Sequence, residues 1–214
     1  MLTGIIQEIG KLQNIEISNN KRYLTISCQT IQHDLVIGES VACNGICLTV
    51  IKHTPTDIKV EVMNQTIQTT TANIWKTNCP VHLEKALTLS GRLNGHIVQG
   101  HIDTMTALNR AFRENNTLYL EFSLPREYQH LLVVEHGSIC IDGVSLTIAR
   151  LTDMSFQVAL IEHTLSMTHF NDLRVGDMVN IEFDIVGKYI HKLVNKTTNK
   201  KSNITEEWLL QNGF

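Results

Sequence analysis

Two stretches of this chain are nearly the same. Residues 40–50 read S-V-A-C-N-G-I-C-L-T-V, and residues 138–148 read S-I-C-I-D-G-V-S-L-T-I. Each is an apolar run, a turn pair (Asn44-Gly45 or Asp142-Gly143) and a second apolar run that carries a Thr. Asn-Gly and Asp-Gly between apolar runs are strong hairpin signals, because both turn residues accept positive φ. The offset is 98 residues and it holds without a gap as far as Glu84 and Glu182. Along it Val60 falls on Val158, Thr66 on Thr164, Thr70 on Thr168 and Val81 on Val179. A repeat of this length is a duplicated domain, since solenoid units run to about 20–50 residues. The 214 residues then divide into two small domains. The boundaries expected are 1–90 and 91–186, with a tail at 187–214.

The pattern within each copy is all-β. Residues 3–9, 11–17, 23–27, 40–42, 46–52, 58–62 and 80–83 are short and rich in Ile, Val and Thr, with turn residues such as Asn19-Asn20 between them. The second copy places strands near 97–106, 117–123, 138–141, 144–151, 156–160 and 178–183. Short strands at this spacing predict a small closed barrel or sandwich, and closure removes the exposed edges that a small sheet would otherwise present. A short helical connection is expected at 70–75 and another at 125–132, where Pro125 opens the first turn. Residues 88–96 read as a linker. Beyond Asp184, Tyr189, Ile190, Leu193 and Val194 fall at helical spacing, and Thr205 is an N-cap for a last short helix.

Composition removes several classes of function. A net charge of −3 and 6% aromatics give no basic, stacking face for an oligonucleotide-binding barrel. No apolar run approaches the ~20 residues of a membrane span. The start, M-L-T-G-I-I-Q-E, has no basic region, so no signal peptide is expected. Five cysteines, Cys28, Cys43, Cys47, Cys79 and Cys140, without a C-x-x-C pair, suit reduced thiols and a cytoplasmic setting.

Candidate chemistry gathers at the repeated turns. Cys47 and Thr49 alternate on one strand and share a face, as do Ser145 and Thr147 in the second copy. They are either a row of small polar groups lining a ligand slot or ordinary Thr-rich strand. The segment Gly95-His96-Ile97-Val98-Gln99-Gly100-His101 holds two Gly-His pairs. A metal site would need more ligands at useful spacing, and H-x-x-x-x-H with no cysteine pair nearby matches no common zinc pattern, so no metal and no cofactor is expected. His101 is the candidate for a ligand or proton contact, and the 98-residue offset sets it against Thr3. His96 reads as a structural histidine. Asp184 ends an apolar strand and is either a functional carboxylate or a strand-end cap. Glu61 and residues 63–66, with their twins at 161–166, follow a strand end in both copies, where backbone groups could hold a planar polar ring.

On these residues the chain resembles the riboflavin synthase (alpha chain) family of two-barrel lumazine-binding proteins. The carriers are M-L-T-G-I-I, G-E-S-V-A-C-N-G-I-C-L-T-V, G-H-I-V-Q-G-H-I-D, G-S-I-C-I-D-G-V-S-L-T-I, I-E-H-T-L, V-N-I-E-F-D and I-T-E-E-W-L-L-Q-N-G-F. They span nearly the whole chain. The resemblance implies an all-β fold of two tandem six-stranded Greek-key β-barrels with a C-terminal α-helix, assembled as a homotrimer. It implies dismutation of two molecules of 6,7-dimethyl-8-ribityllumazine to riboflavin and 5-amino-6-ribitylaminouracil, between the first barrel of one subunit and the second barrel of its neighbour. Lumazine synthase enters as a further partner, and nucleic acid and membrane do not.

Carried over by motif, the substrate contacts in the first half are Gly4, Ile5, Ile6, Cys47, Leu48, Thr49, Glu61, Val62, Met63, Asn64, Gln65, Thr66, Gly100, His101 and Ile102. In the second half they are His136, Ser145, Leu146, Thr147, Ile161, Glu162, His163, Thr164, Leu165 and Ser166. The resemblance makes the substrate's own 7-methyl group acidic, so modest roles suffice. His101 assists proton transfer, Cys47 or Ser40 assists nucleophilic addition or positions the water that adds, and Ser145, Thr147 and Asp184 orient the two rings. The chain departs from the family at Leu2, where Phe is usual and would shape the pocket, and at His136, where the family has Lys. The rival within this fold is a non-catalytic lumazine- or flavin-binding optical protein, which is expected to lose the polar residues that this chain retains.

Overall fold

The computed structural model describes residues 1–18, 21–128 and 132–198. They form two closed six-stranded antiparallel barrels. The first contains β1 (Glu8–Ser18), β2 (Lys21–Ser27), β3 (Ser40–Cys43), β4 (Ile46–His53), β5 (Asp57–Val62) and β6 (Pro80–Lys85). The second contains β7 (Thr104–Glu114), β8 (Thr117–Ser123), β9 (Ser138–Ile141), β10 (Val144–Leu151), β11 (Ser155–Leu160) and β12 (Met178–Phe183). The order around the first barrel is β1-β2-β5-β4-β3-β6, and the second repeats it strand for strand. Strands β3, β4 and β5 are joined in succession and β6 returns beside β3, which is Greek-key order. A short helix follows the fifth strand of each barrel, α1 (Asn64–Thr69) and α2 (Glu162–Ser166), and α3 (Ile185–Thr198) follows β12. The expected all-β, two-barrel class with a C-terminal helix is the observed one.

Alternation builds the strands. In β5 and β11 every second residue is buried: Ile58, Val60 and Val62, then Phe156, Val158 and Leu160. Closure needs curvature, and bulges supply it. They interrupt the ladders at Leu12/Asn14 and Val50/Lys52, and again at Leu108/Arg110 and Ile148/Arg150. Both central residues of each repeated turn have positive φ, 44° and 78° at Asn44-Gly45 and 44° and 83° at Asp142-Gly143. That is the geometry which lets a two-residue turn follow the strand twist.

Several expected elements differ. Residues 3–7 and 98–103 are not strands but extended arms that run to the opposite barrel. Leu2 and Val98 form a single antiparallel bridge. Ile6 is buried in the core of the second barrel, and Ile102 packs against the core of the first. These positions lie 96 apart, as do Glu8 and Thr104 at the starts of β1 and β7. The offset becomes 98 only after residues 28–39 and 124–137, which differ by two residues. His101 therefore corresponds to Ile5, not Thr3. The connection at 70–75 contains a 3-10 turn at Thr71–Asn73, and 125–132 contains one at Arg126–Tyr128. The Asn19-Asn20 turn and the Thr205 helix lie outside the described residues.

The barrels meet about a pseudo-twofold axis where Gly45 and Gly143 touch back to back; a Cβ on either would fall 2.7 Å from the other's backbone nitrogen. The bonds across this axis come in pairs. Asn180 donates from Nδ2 to the Asn44 carbonyl and accepts the Thr71 N–H at Oδ1. His82, its counterpart, donates from Nδ1 to the Asp142 carbonyl and accepts the His169 N–H at Nε2. A small apolar cluster, Leu2, Ala42, Val98 and Cys140, fills the remaining space. Leu2 is thus buried between the barrels, and the expectation that position 2 shapes a pocket is corrected for this residue.

Candidate functional site: two equivalent half-sites

Each barrel carries the expected polar residues on its outer face. On the first, Ser40 of β3 sits opposite Thr49 of β4, and Thr49 opposite Glu61 of β5. On the second, Ser138 sits opposite Thr147. One step along, Cys47 faces Ala42, which faces Glu84, and Ser145 faces Cys140, which faces Glu182. Leu48 and Leu146 are buried in the cores, so Cys47/Thr49 and Ser145/Thr147 project together to the outside. The halves differ at Cys47 against Ser145, at Ala42 against Cys140 and at Glu61. Glu61 is paired with Lys21 at 2.7 Å, while the position 98 residues on is Ala159.

Each half-site is bordered by the arm of the other domain. The Cys47 N–H donates to the Gly100 carbonyl at 2.9 Å, and the Ser145 N–H to the Gly4 carbonyl at 2.7 Å. Gly100 and Gly4 have φ of +81° and +76°, and an added Cβ would lie 2.4 Å from Cys47 Cβ or 2.6 Å from Ser145 Cβ. Only glycine combines that conformation with that approach. The arm at the first half-site continues into the exposed His101 and half-buried Ile102. At the second it continues into the exposed Ile5 and the buried Ile6.

Two buried carboxylates anchor the arms, and the sequence reading gave them no role. Glu84 accepts from Thr3 N–H (2.7 Å), Thr3 Oγ1 (2.8 Å) and Gly4 N–H (3.0 Å). Glu182 accepts from the N–H groups of Gln99 (2.7 Å), Gly100 (2.8 Å) and His101 (3.0 Å). Burial pushes both carboxyls up from their ordinary range, and the donors partly pull them back. The signal was present in the sequence: a Glu at the same place in the last strand of both copies.

The segments after the fifth strands are the starts of α1 and α2. Met63, Asn64 and Gln65 are exposed and Thr66 half-buried; Ile161, Glu162, His163 and Ser166 are exposed and Thr164 half-buried. Neither helix has a side-chain cap, which leaves first-turn N–H groups for other acceptors. Val62 and Leu165 are core side chains. These two, like Leu48 and Leu146, offer a ligand only their backbone. Glu162 and Ser166 also border a hollow of about 450 Å³ with Arg113 and Asn171. A cleft of about 390 Å³ between the barrels, lined by Asn44, Trp75, Asp142 and His169, includes none of the expected site residues.

His136 is exposed, with φ +65° and its N–H donating to the Ile148 carbonyl. Asp184 is half-buried and caps α3, its Oδ1 accepting the Val186 N–H at 2.9 Å. The cap reading and a role in the site are compatible, because the Asp184 charge also acts on His96. His96, read as structural, lies in the second half-site with Nδ1 2.7 Å from Ser145 Oγ. Among the described residues no hydrogen bond or ion pair joins Cys47, Thr49 or Glu61 to Ser145 or Thr147.

Duplicated small barrels, each with an outer polar row bordered by a glycine arm, describe a small-molecule-binding protein built from one fold used twice. Residues 3–86 and 99–184 both match the family described as Lumazine binding domain, and the chain belongs to that family. It is 40% identical over 216 residues to a riboflavin synthase of Bacillus amyloliquefaciens, covering all of both chains. It is 38% identical to those of Bacillus subtilis (strain 168) and Actinobacillus pleuropneumoniae, again over the full length of each. Among solved structures, LumP complexed with 6,7-dimethyl-8-(1'-D-ribityl)lumazine superposes with a TM-score of 0.76 at 22% identity, over 85% of this chain and 98% of that one. LumP complexed with riboflavin gives 0.79 at 22% identity, over 86% and 99%.

Proposed function

We propose that this chain catalyses the reaction for which its full-length relatives are named. Two molecules of 6,7-dimethyl-8-ribityllumazine exchange a four-carbon unit, giving riboflavin and 5-amino-6-ribitylaminouracil. The observation that carries this is full-length identity to riboflavin synthases in a chain whose two half-sites both keep a polar pair, Cys47/Thr49 and Ser145/Thr147. On this reading residues 1–90 and 91–186 each bind one lumazine, and 187–214 form a tail.

A reaction between two copies of one substrate needs them held in a fixed mutual orientation. Positioning of this kind is worth roughly 7–11 kcal/mol, and it leaves little for strong acids or bases to do. His101, exposed on the arm beside Cys47, assists proton transfer. Cys47 or Ser40 adds to the ring or places the water that adds. Ser145, Thr147 and Asp184 orient the partner ring. On this reading the first half-site of one subunit faces the second of a neighbour in a homotrimer. The exposed Val186, Tyr189, Ile190, Leu193 and Val194 of α3 supply an apolar face for such contacts. The setting proposed is cytoplasmic, with lumazine synthase as a neighbour that delivers substrate.

The test is to incubate the purified chain with the lumazine alone and follow riboflavin absorbance. Growth of that absorbance supports the proposal. No product, with one tightly held ligand per chain, would point instead to an optical binding protein.

A further inference from the structure

His96 is the one histidine ring at the half-sites that is both buried and bonded to a polar side chain. It is 9% exposed. Its backbone N–H donates to the Thr3 carbonyl, which ties it to the arm that Glu84 anchors. Nδ1 lies 2.7 Å from Ser145 Oγ, and Nε2 is buried without a hydrogen-bond partner. Gly95 leaves room for this approach, since a Cβ there would fall 2.9 Å from Ser145 Cβ. An imidazole placed for packing alone would pay a desolvation cost on Nε2 and receive nothing for it. An imidazole that shuttles between neutral and protonated states needs this kind of setting. Burial disfavours its cation at rest, and the Asp184 charge supports the cation once formed.

The first half-site is built differently. Its counterpart of Ser145 is Cys47, and its histidine, His101, is exposed, with no ring hydrogen bond among the described residues. The two half-sites thus share a fold but not a proton-accepting device.

We propose that His96 is a positioning residue that orients Ser145 Oγ and accepts its proton, and that the second half-site is therefore where the lumazine methyl group is deprotonated. This rests on the reaction proposed above. In the step, the methyl proton passes to Ser145 Oγ as the hydroxyl's own proton passes to His96 Nδ1. The C–H electron pair stays on the lumazine as a conjugated anion. The imidazolium beside Asp184 balances that charge and later returns the proton. Ser145 touches the substrate; His96 acts through it.

The experiment compares the full-length parent with His96→Asn, Ser145→Ala and the double variant. It measures riboflavin formation against pH and methyl proton exchange of the lumazine in D2O by NMR. Asn carries a hydrogen-bonding atom near the place of Nδ1 but cannot take a proton. His96→Asn is expected to keep lumazine affinity, lower kcat about 10²-fold, flatten the acid limb of the pH profile and slow methyl exchange equally. Ser145→Ala should lose as much, and the double variant no more, because the two groups act as one unit. Parent-like kcat and pH profile in His96→Asn would overturn the proposal, as would losses that add in the double variant. If His96→Asn fails to fold, Ser145→Ala, which removes a single oxygen, carries the same pH-profile test. A parent that makes no riboflavin removes the reaction itself, and a parent that makes it while His96→Asn is unaffected removes only this inference.

Discussion

At the residue scale, the half-sites depend on positions where a side chain cannot be. Gly38 and Gly100 both have positive φ, but an added Cβ meets nothing within 4 Å at Gly38 and meets Cys47 at Gly100. Gly38→Ala should cost only the left-handed backbone, about 1–2 kcal/mol. Gly100→Ala should cost visibly more and weaken lumazine binding at the first half-site. Denaturant midpoints together with fluorescence titration of the ligand separate the two effects. His136 presents the opposite case. It holds φ +65° where the first barrel has Gly38 at +97°. His136→Gly should gain roughly 0.5–1 kcal/mol, the relief of strain less the extra freedom of the unfolded glycine. If His136 contacts substrate as the family resemblance implies, KM rises in the same variant, and a higher Tm with an unchanged KM would exclude that contact.

At the element scale, the arms tie each barrel to the other. Glu84 illustrates the cost of disturbing one. Its Oε1 serves both donors of Thr3 and its Oε2 serves Gly4 N–H. In Glu84→Gln one oxygen becomes an NH2 that faces an N–H, so a buried donor loses its acceptor. The expected loss is about 1–3 kcal/mol, read as a lower urea midpoint with the slope unchanged. Glu182→Gln should behave alike, since the Gln99 and Gly100 N–H groups that it accepts correspond to those of Thr3 and Gly4. The arms also show where local pattern misleads. Residues 3–9 and 97–106 alternate like strands, and a strand was the natural reading. The partners of 3–7 and 98–103 are not neighbours in a ladder but a glutamate some 80 residues away and the core of the other barrel, which periodicity cannot register.

At the scale of the whole molecule, the interface between barrels contains two stacked histidines, His82 and His169, with ring centroids 3.8 Å apart. Burial lowers His82 well below the usual histidine range and takes His169 down to about 4. An unfolded chain binds those protons first, near the ordinary histidine value of about 6.5. Stability should therefore fall as pH drops from about 6.5 toward 4. Asp142, which burial holds up to about 7, opposes this, since the folded state keeps its proton longer. Glu84 and Glu182, which burial also raises, act in the same sense as Asp142, and His96, which burial lowers, acts with the stacked pair; comparing the parent with a His82 variant isolates the share of His82. Asn180 makes the corresponding bonds across the axis without titrating. His82→Asn should therefore keep the interface and blunt the fall in Tm between pH 7 and pH 5; an unchanged fall would show that His82 does not govern it.

The duplication, the barrel class, the turn pairs and the outward pairs Cys47/Thr49 and Ser145/Thr147 were legible in the sequence. They arise from period-two alternation, turn chemistry and a repeat, all of which are local or self-comparing. The 96-residue offset of the arms, the burial of Leu2 between the barrels, the carboxylate anchors and the His96–Ser145 bond were decided only by the tertiary structure. Each of these joins residues that are distant in the chain through the packing of one barrel on the other. Sequence can show that such a group is present, but burial and geometry decide what it meets.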